Sequence, residues 1–388
     1  MHELWSSFRV FFSSLKLTVV LLVLSIILVF WATIAQVRLG VWGVQEHFFR
    51  TFFVLGKLPG TEIPVPVFPG GYFIGGLLLL NLTAAHFARF ALKWGKSGIA
   101  LTHLGLVILL IGELLSGLWQ EEYSLRLDEG QTKNYSESFR LSELALIDTT
   151  DAQFDDVFVV PEKLLARGQA VTHPPLPFRI VPKAYYPNAS LQMRNPATAP
   201  NPSLATQGIG LQVTTTPLAL TYKMDERNLP AAYVELVAPE GSLGTWLVSE
   251  QLAEPQTFTH AGRTWSIALR LQRHYKPYSL TLVNFSHDRY AGTEIPKNFS
   301  SRIRLTTPDG RDDREVLIYM NNPLRYAGLT FYQSGFDNND RTTVLQVVRN
   351  PSWLLPYVAC VLMSAGLLIQ FGISLFAFVA RRRAMPTA

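Results

Sequence analysis

Four long apolar blocks constrain this chain more than anything else in its 388 residues. They run from Leu17 to Ala35, Phe68 to Ala88, Ser97 to Leu118 and Ser352 to Ala380, and the third carries a single acid, Glu113. Each supplies the roughly 20 residues that a helix needs to cross about 30 Å of hydrocarbon. The first is too long for a removable signal peptide and lacks a small-residue cleavage site, so it reads as an anchor. Composition agrees, with 16% charged and 48% hydrophobic residues.

Basic residues give the orientation. Arg9 and Lys16 precede the first block, Arg89, Lys93 and Lys96 fill the turn between the second and third, and Arg381, Arg382 and Arg383 follow the last. All three groups fall on one side of a four-helix arrangement, which the positive-inside rule makes cytoplasmic. The predicted organisation is therefore an N-terminal membrane region, 1–118, with spans at 15–35, 70–92 and 97–118. A large outer domain follows at 119–351, then a last span at 352–380 and a cytoplasmic basic tail at 381–388. In the first outer loop, residues 41–55 interleave Trp42, Phe48, Phe49, Phe52 and Phe53 with polar residues, the pattern of a short helix in the membrane interface or of a hydrophobic loop packed on the protein.

The outer domain reads as strands. Alternating or β-branched runs at Phe178 to Val181, Gly210 to Thr215, Ala232 to Val237, Trp265 to Leu271 and Ser279 to Phe285 are separated by Pro, Gly, Asn and Asp turns. Arg302 to Thr306 and Val316 to Met320 flank the turn sequence Pro308-Asp309-Gly310. The expected fold class is an α+β membrane protein: four transmembrane helices, with an antiparallel sandwich or open barrel between helices 3 and 4.

Several function classes are excluded. The net charge of +5 lies largely beside the apolar blocks, where it sets topology, so nucleic acid is not an expected partner. The one cysteine, Cys360, falls inside the last block, which leaves no Cys-x-x-Cys for dithiol chemistry or covalent haem. No Gly-x-Ser-x-Gly, His-Glu-x-x-His or phosphate loop is present, so no catalytic residue is assigned.

What remains is two histidines at membrane depth, His86 and His103. An ionisable group there is costly without a partner or a role. If the hairpin turns between Leu92 and Ser97, each lies six residues, or about 9 Å, from the cytoplasmic end. Two imidazoles at matched depth can supply both axial ligands of a non-covalent haem b, or one can ligate beside a ligand from another chain. Backbone or headgroup hydrogen bonds would satisfy them as well. Arg89, three residues beyond His86, can meet a haem propionate or simply set topology. Glu113 either pairs across the bundle or reaches the interface, and Asn81 fits an interhelical hydrogen bond. Gly75, Gly76, Gly105 and Gly112 are expected to permit close helix packing. The other histidines, among them His47, His173, His260, His274 and His287, show no ligand spacing and are expected to be mostly solvated.

Several stretches resemble the ResB (CcsB) family of system II cytochrome c biogenesis. They are Ser14-Leu15-Lys16-Leu17-Thr18, Asn81-Leu82-Thr83-Ala84-Ala85-His86, Leu101-Thr102-His103-Leu104-Gly105 through Gly112-Glu113, Leu127-Asp128-Glu129-Gly130 and Tyr186-Pro187-Asn188-Ala189. Further along come Ile295-Pro296-Lys297-Asn298-Phe299-Ser300-Ser301 and Asn322-Pro323-Leu324-Arg325-Tyr326-Ala327-Gly328 to Phe331-Tyr332-Gln333. The resemblance implies a bacterial inner-membrane protein that works with a CcsA/ResC-like partner. Together they would bring haem to the outer face and present apocytochrome c for covalent attachment. It also implies a transmembrane histidine given to a shared haem site, for which His86 and His103 are the available positions. Tyr326, Phe331, Tyr332 and Gln333 are candidates for the apocytochrome surface or for the core of the last hairpin. A b-type electron-transfer subunit or scaffold of a respiratory complex would use the same histidines differently.

Overall fold

The computed structural model describes residues 9–58, 60, 61, 63–89, 94–194, 203–223, 226–293, 296–337 and 340–383. Two compact units result. One comprises Met1–Glu121, Tyr222–Met224 and Arg349–Ala388; the other comprises Glu122–Thr221 and Asp225–Val348.

The first unit is helical. α1 spans Leu15–Val44, α2 Gly71–Arg89 and α3 Ser97–Trp119, and the C-terminal helix, numbered α5 below, spans Leu355–Arg383; all four are long and apolar enough to cross a membrane. α1 outruns the expected span by nine residues because the aromatic interface segment continues the helix, broken only at Gly40, whose φ of 64° is left-handed. A π-helical turn follows at Gln45–Phe49, so the helical part of the interface segment ends there. β1 (Phe53–Lys57) then pairs with β2 (Pro64–Pro69) in a hairpin where a helix to residue 55 is one expectation. Pro64, Pro66 and Pro69, with β-branched Val65 and Val67, hold β2 extended.

α2 packs against both α1 and α3, and α3 against α5; the α1–α2 and α3–α5 seams differ in construction. On the α1–α2 seam, Leu21, Leu28, Ala32 and Ile74 are buried, with Leu24, Leu77 and Leu78 packed against them. On the α3–α5 seam the contact is made by glycines. A Cβ on Gly98 would lie 2.5 Å from the Gly366 carbonyl oxygen and the Gln370 nitrogen; one on Gly105 would lie 2.7 Å from Met363 Cγ, and one on Gly112 3.0 Å from Leu355 Cβ. The expected role of Gly105 and Gly112 holds. That of Gly75 and Gly76 does not: a Cβ on either would meet nothing within 4 Å.

The second unit is antiparallel β, as expected. Its largest sheet runs β14-β13-β12-β4-β3-β17-β16-β15, with β11 beside β12 and β5 beside β4. These strands span β3 Glu121–Asp128, β4 Thr132–Asp148, β5 Asp156–Pro161, β11 Gln256–His260, β12 Arg263–Arg289, β13 Pro296–Thr306, β14 Asp313–Tyr319, β15 Leu324–Tyr326, β16 Leu329–Asp337 and β17 Thr342–Arg349. A short helix, α4, occupies Glu162–Ala166. β6 (Arg179–Tyr186), β9 (Ala231–Ala238) and β10 (Gly241–Ser249) form a second sheet, and β7 (Ala189–Met193) pairs with β8 (Val213–Pro217).

Two apolar cores explain why β12 is so long. Its first half, with Trp265, Ile267 and Leu269, packs with Leu144, Leu146, Ile180, Val234 and Leu236 as a sandwich. Its second half, with Leu280, Leu282 and Phe285, joins Leu125, Leu127, Ile303, Leu305, Phe331, Leu345 and Val347 in another core. Around this second core β14 packs against β15 and β16, from the other end of the sheet, giving a barrel-like closure. Register breaks in the β12–β4 ladder after Leu271 and after Tyr275 bend the strand from one core to the other. Pro308-Asp309-Gly310 joins β13 to β14 as expected, and Ala327-Gly328, both at positive φ, turns β15 into β16.

Candidate functional site

In the helical unit, the two sequence stretches that carry Thr18 and His86 are tied together. Asn81, fully buried, donates through Nδ2 to the carbonyls of Phe12 (2.6 Å) and Ser14 (3.1 Å), and its Oδ1 accepts from Thr18 Oγ1 at 2.6 Å. The expected interhelical role of Asn81 is therefore met, and it fixes the rotation of α2 against α1. His86 lies five residues beyond Asn81, which turns it about 140° away from the α1 seam. Its ring is half-buried and meets Phe87 edge-on at 5.6 Å.

His103 follows the same geometry on α3. It lies five residues beyond Gly98, again turned about 140° from the seam, here the one with α5. Its Nδ1 stands 2.9 Å from the Ile99 carbonyl oxygen. With Nδ1–H donating there, the neutral ring carries its lone pair on Nε2. That bond satisfies the histidine as an ordinary helix residue; it also sets the tautomer and ring orientation that an iron ligand needs. Arg89 is the last residue of α2, and its side chain lies outside the described atoms, as do Phe90 to Lys93. Glu113 is exposed on α3.

In the β unit the resembling stretches become hydrogen-bonded corners between strands. Glu129 Oε1 accepts from the Phe285 amide at 2.9 Å, and Asp128 accepts from Thr342 Oγ1. Asn188 bonds the Ala219 carbonyl at 2.7 Å and the Leu229 amide at 3.1 Å. Ser301 donates to Gln333 Oε1 at 2.6 Å and bonds Thr343 at 2.7 Å, which joins the stretch around Phe299 to that around Tyr332. Of the four surface candidates, Phe331 is core, Gln333 is held in this network, Tyr326 packs edge-on against Tyr278 and Tyr332 is exposed. Lys276, at the second register break, is drawn by burial down to a pKa of about 8. It donates to Ser136 Oγ at 2.7 Å and to the His274 carbonyl at 3.2 Å.

Two histidines expected in solvent are half-buried instead, with their side chains covered. The side chain of His260 is 9% exposed and lies 3.5 Å from Glu240, and that of His287 is 3% exposed and bonded to Asp340. His287 was legible in part, since it lies two residues beyond Phe285 and so on the same, inward face of β12.

Four spanning helices and a large antiparallel unit between the third and fourth define a polytopic α+β membrane protein. The model of the ResB-like family matches residues 240–344, from β10 to β17. A stretch of 92 residues is 34% identical to Protein NrfI of Wolinella succinogenes; it covers 24% of this chain and 10% of that protein. The chain thus matches about a tenth of the length of that relative.

Proposed function

We propose that this chain is a cytochrome c maturation factor. Its membrane helices handle haem as cargo, and its β unit presents apocytochrome c to a CcsA/ResC-like partner on the outer face of the bacterial inner membrane. The family match supports the cytochrome c role. The observation that carries the haem reading is that His86 and His103 stand on the paired helices α2 and α3, both turned away from the α1–α2 and α3–α5 seams.

The residues fit a haem. His103, oriented by the Ile99 carbonyl, offers Nε2; His86 offers an imidazole on the neighbouring helix; the bound iron would supply the site for axial ligation. The helices hold the rings in place and exclude water from them.

The test is the visible spectrum of the purified complex. Replacing His86 or His103 by Ala should remove the low-spin reduced bands or the haem itself, and added imidazole should partly restore them. If both variants respond, both ligands come from this chain; if one does, the second belongs to the partner. Unchanged spectra and haem content in the double variant would overturn the proposal.

A further inference from the structure

The loop from β8 to β9 carries exposed apolar residues on a base closed by hydrogen bonds. Asn188 accepts from the Leu229 amide at 3.1 Å through Oδ1 and donates to the Ala219 carbonyl at 2.7 Å, while its own carbonyl accepts from the Leu218 amide at 2.9 Å. Asn228 closes the next rung: its Oδ1 accepts from the Thr221 amide at 2.9 Å, and its Nδ2 donates to the Thr221 carbonyl at 3.0 Å. Arg227 pairs with Glu250, whose side chain is 5% exposed. Residues 218–229 are thus a loop with a pinned neck. On it Leu218 and Leu220 stand 49% and 47% exposed.

Two residues past Leu220 the chain enters the helical unit. Tyr222 belongs to that unit and sits in a notch of α1. A Cβ on Gly40 would run into the Tyr222 carbonyl oxygen, and one on Gly43 would lie 3.4 Å from Tyr222 Cβ. The tyrosine ring stacks on Trp42 at 6.2 Å and meets His47 edge-on at 6.1 Å. Gly40 breaks the helix there, so the notch needs glycine both for its left-handed backbone and for the room it leaves. The depth of the notch follows from the sequence. α1 becomes free of charge at Leu17, and roughly 20 residues cross the hydrocarbon, which then ends near Gln36. Gly40 is about 6 Å further along the helix, in the headgroup layer where Trp and Tyr concentrate.

We infer that Leu218 and Leu220 form a lipid-binding finger, held in the membrane interface at the C-terminal end of α1 by Tyr222 seated in the Gly40 notch. An exposed leucine is ordinary on a β domain. These two differ by their place: an extended residue spans at most about 3.6 Å, so Leu220 lies within about 7 Å of a tyrosine at headgroup depth. The apolar phase beside them is the one that α1 already faces at Val37, 87% exposed on that spanning helix. Moving each leucine side chain from water into the apolar side of the interface is favourable and needs no partner protein. The pinned neck lowers the ordering cost of inserting them. The inference goes beyond the haem reading and does not depend on it.

Cys360 is the one cysteine in the chain, so Cys360→Ser gives a background for single nitroxide labels. The full chain is placed in nanodiscs of phosphatidylcholine and phosphatidylglycerol with a label at Leu218→Cys or Leu220→Cys. Val37→Cys serves as the lipid reference, and Phe154→Cys, at a residue 74% exposed in the β unit, as the water reference. Collision of each label with oxygen, which partitions into lipid, is compared with collision with a water-soluble nickel chelate. The two finger labels should favour oxygen several-fold more than the water reference does. Gly40→Val, and separately Tyr222→Ala, should return them to the water profile while the Val37→Cys label keeps its own, the sign that the helix is intact. A water profile at both finger positions in the parent chain, or a lipid profile that neither Gly40→Val nor Tyr222→Ala moves, would overturn the inference. So would finger labels shielded from both reagents, which would put a second copy of the chain there in place of lipid. Haem content enters none of these readouts, so this inference and the haem reading fail separately.

Discussion

The α3–α5 seam and the α1–α2 seam solve the same problem by different means. Between α3 and α5, Gly98 faces Gly366 so closely that the backbones touch, and Thr102 Oγ1 lies where a Cβ on Gly366 would intrude, at 2.5 Å. Ser116, Asn350 and Ser352 close the other end with hydrogen bonds of 2.9 to 3.1 Å. Between α1 and α2, large apolar side chains keep the backbones apart and one polar residue, Asn81, pins them. In lipid, side-chain hydrophobicity does not drive helices together, so close packing and polar bonds must. The α3–α5 seam combines the two, with close backbone packing along most of its length and polar bonds at one end, whereas the α1–α2 seam has only the polar pin. Each seam also fixes a histidine about 140° around its helix, so the rotation of each ring depends on its own seam.

The largest effect should follow from breaking the glycine seam. Gly366→Leu would drive a side chain into Thr102 and the Gly98 carbonyl, where no flexible group can yield. The expected cost is more than about 3 kcal/mol. It should be seen as a fall in melting temperature in detergent, with fast hydrogen exchange along α3 and α5. A melting temperature close to wild type would mean that the seam is not the close contact described. Asn81→Leu should cost less, about 1 to 2 kcal/mol for the hydrogen bonds it removes. Its effect should be confined to exchange at Ser14 to Leu21 and in α2. Equal loosening of α5 would show that the two seams are not independent.

The sequence made the spans and strands legible because length and period 2 are local signals. Even the boundary error at α1 is local: the aromatic residues from Trp42 to Phe49 look like an interface segment whether or not the helix simply continues into them. Facing is harder. Gly75-Gly76 and Gly105 look alike in one dimension, yet only Gly105 meets another helix, because which residues face a neighbour depends on packing that no spacing encodes. His86 and His103 were visible because charge at membrane depth stands out, whereas His287 was not. Its partner Asp340 lies 53 residues away and comes near through the folding of β12, β16 and β17. Only the inward alternation after Phe285 pointed to it.

The smallest effect sharpens the comparison most. Gly75 and Gly76 lie in α2, between Ile74 and Leu77 of the α1 seam, and a Cβ on either would meet open space. If α2 is held by side chains and Asn81 alone, these glycines serve no contact within this chain, and each costs the helix conformational freedom. Gly75→Ala and Gly76→Ala should then be neutral or stabilising, by up to about 1 kcal/mol, as for glycine in a helix interior. The same change at Gly105 should destabilise, since its Cβ would lie 2.7 Å from Met363 Cγ and 2.8 Å from the Ala359 carbonyl oxygen. Melting of the three variants side by side in one detergent is the measurement, repeated with the complex isolated from the membrane. Destabilisation of Gly75→Ala or Gly76→Ala in the isolated chain would show that α2 packs more closely than described. Destabilisation in the complex alone would place another protein's helix on that face of α2, and opposite signs at Gly75 and Gly105 in the isolated chain would establish that the two seams are built on different contacts.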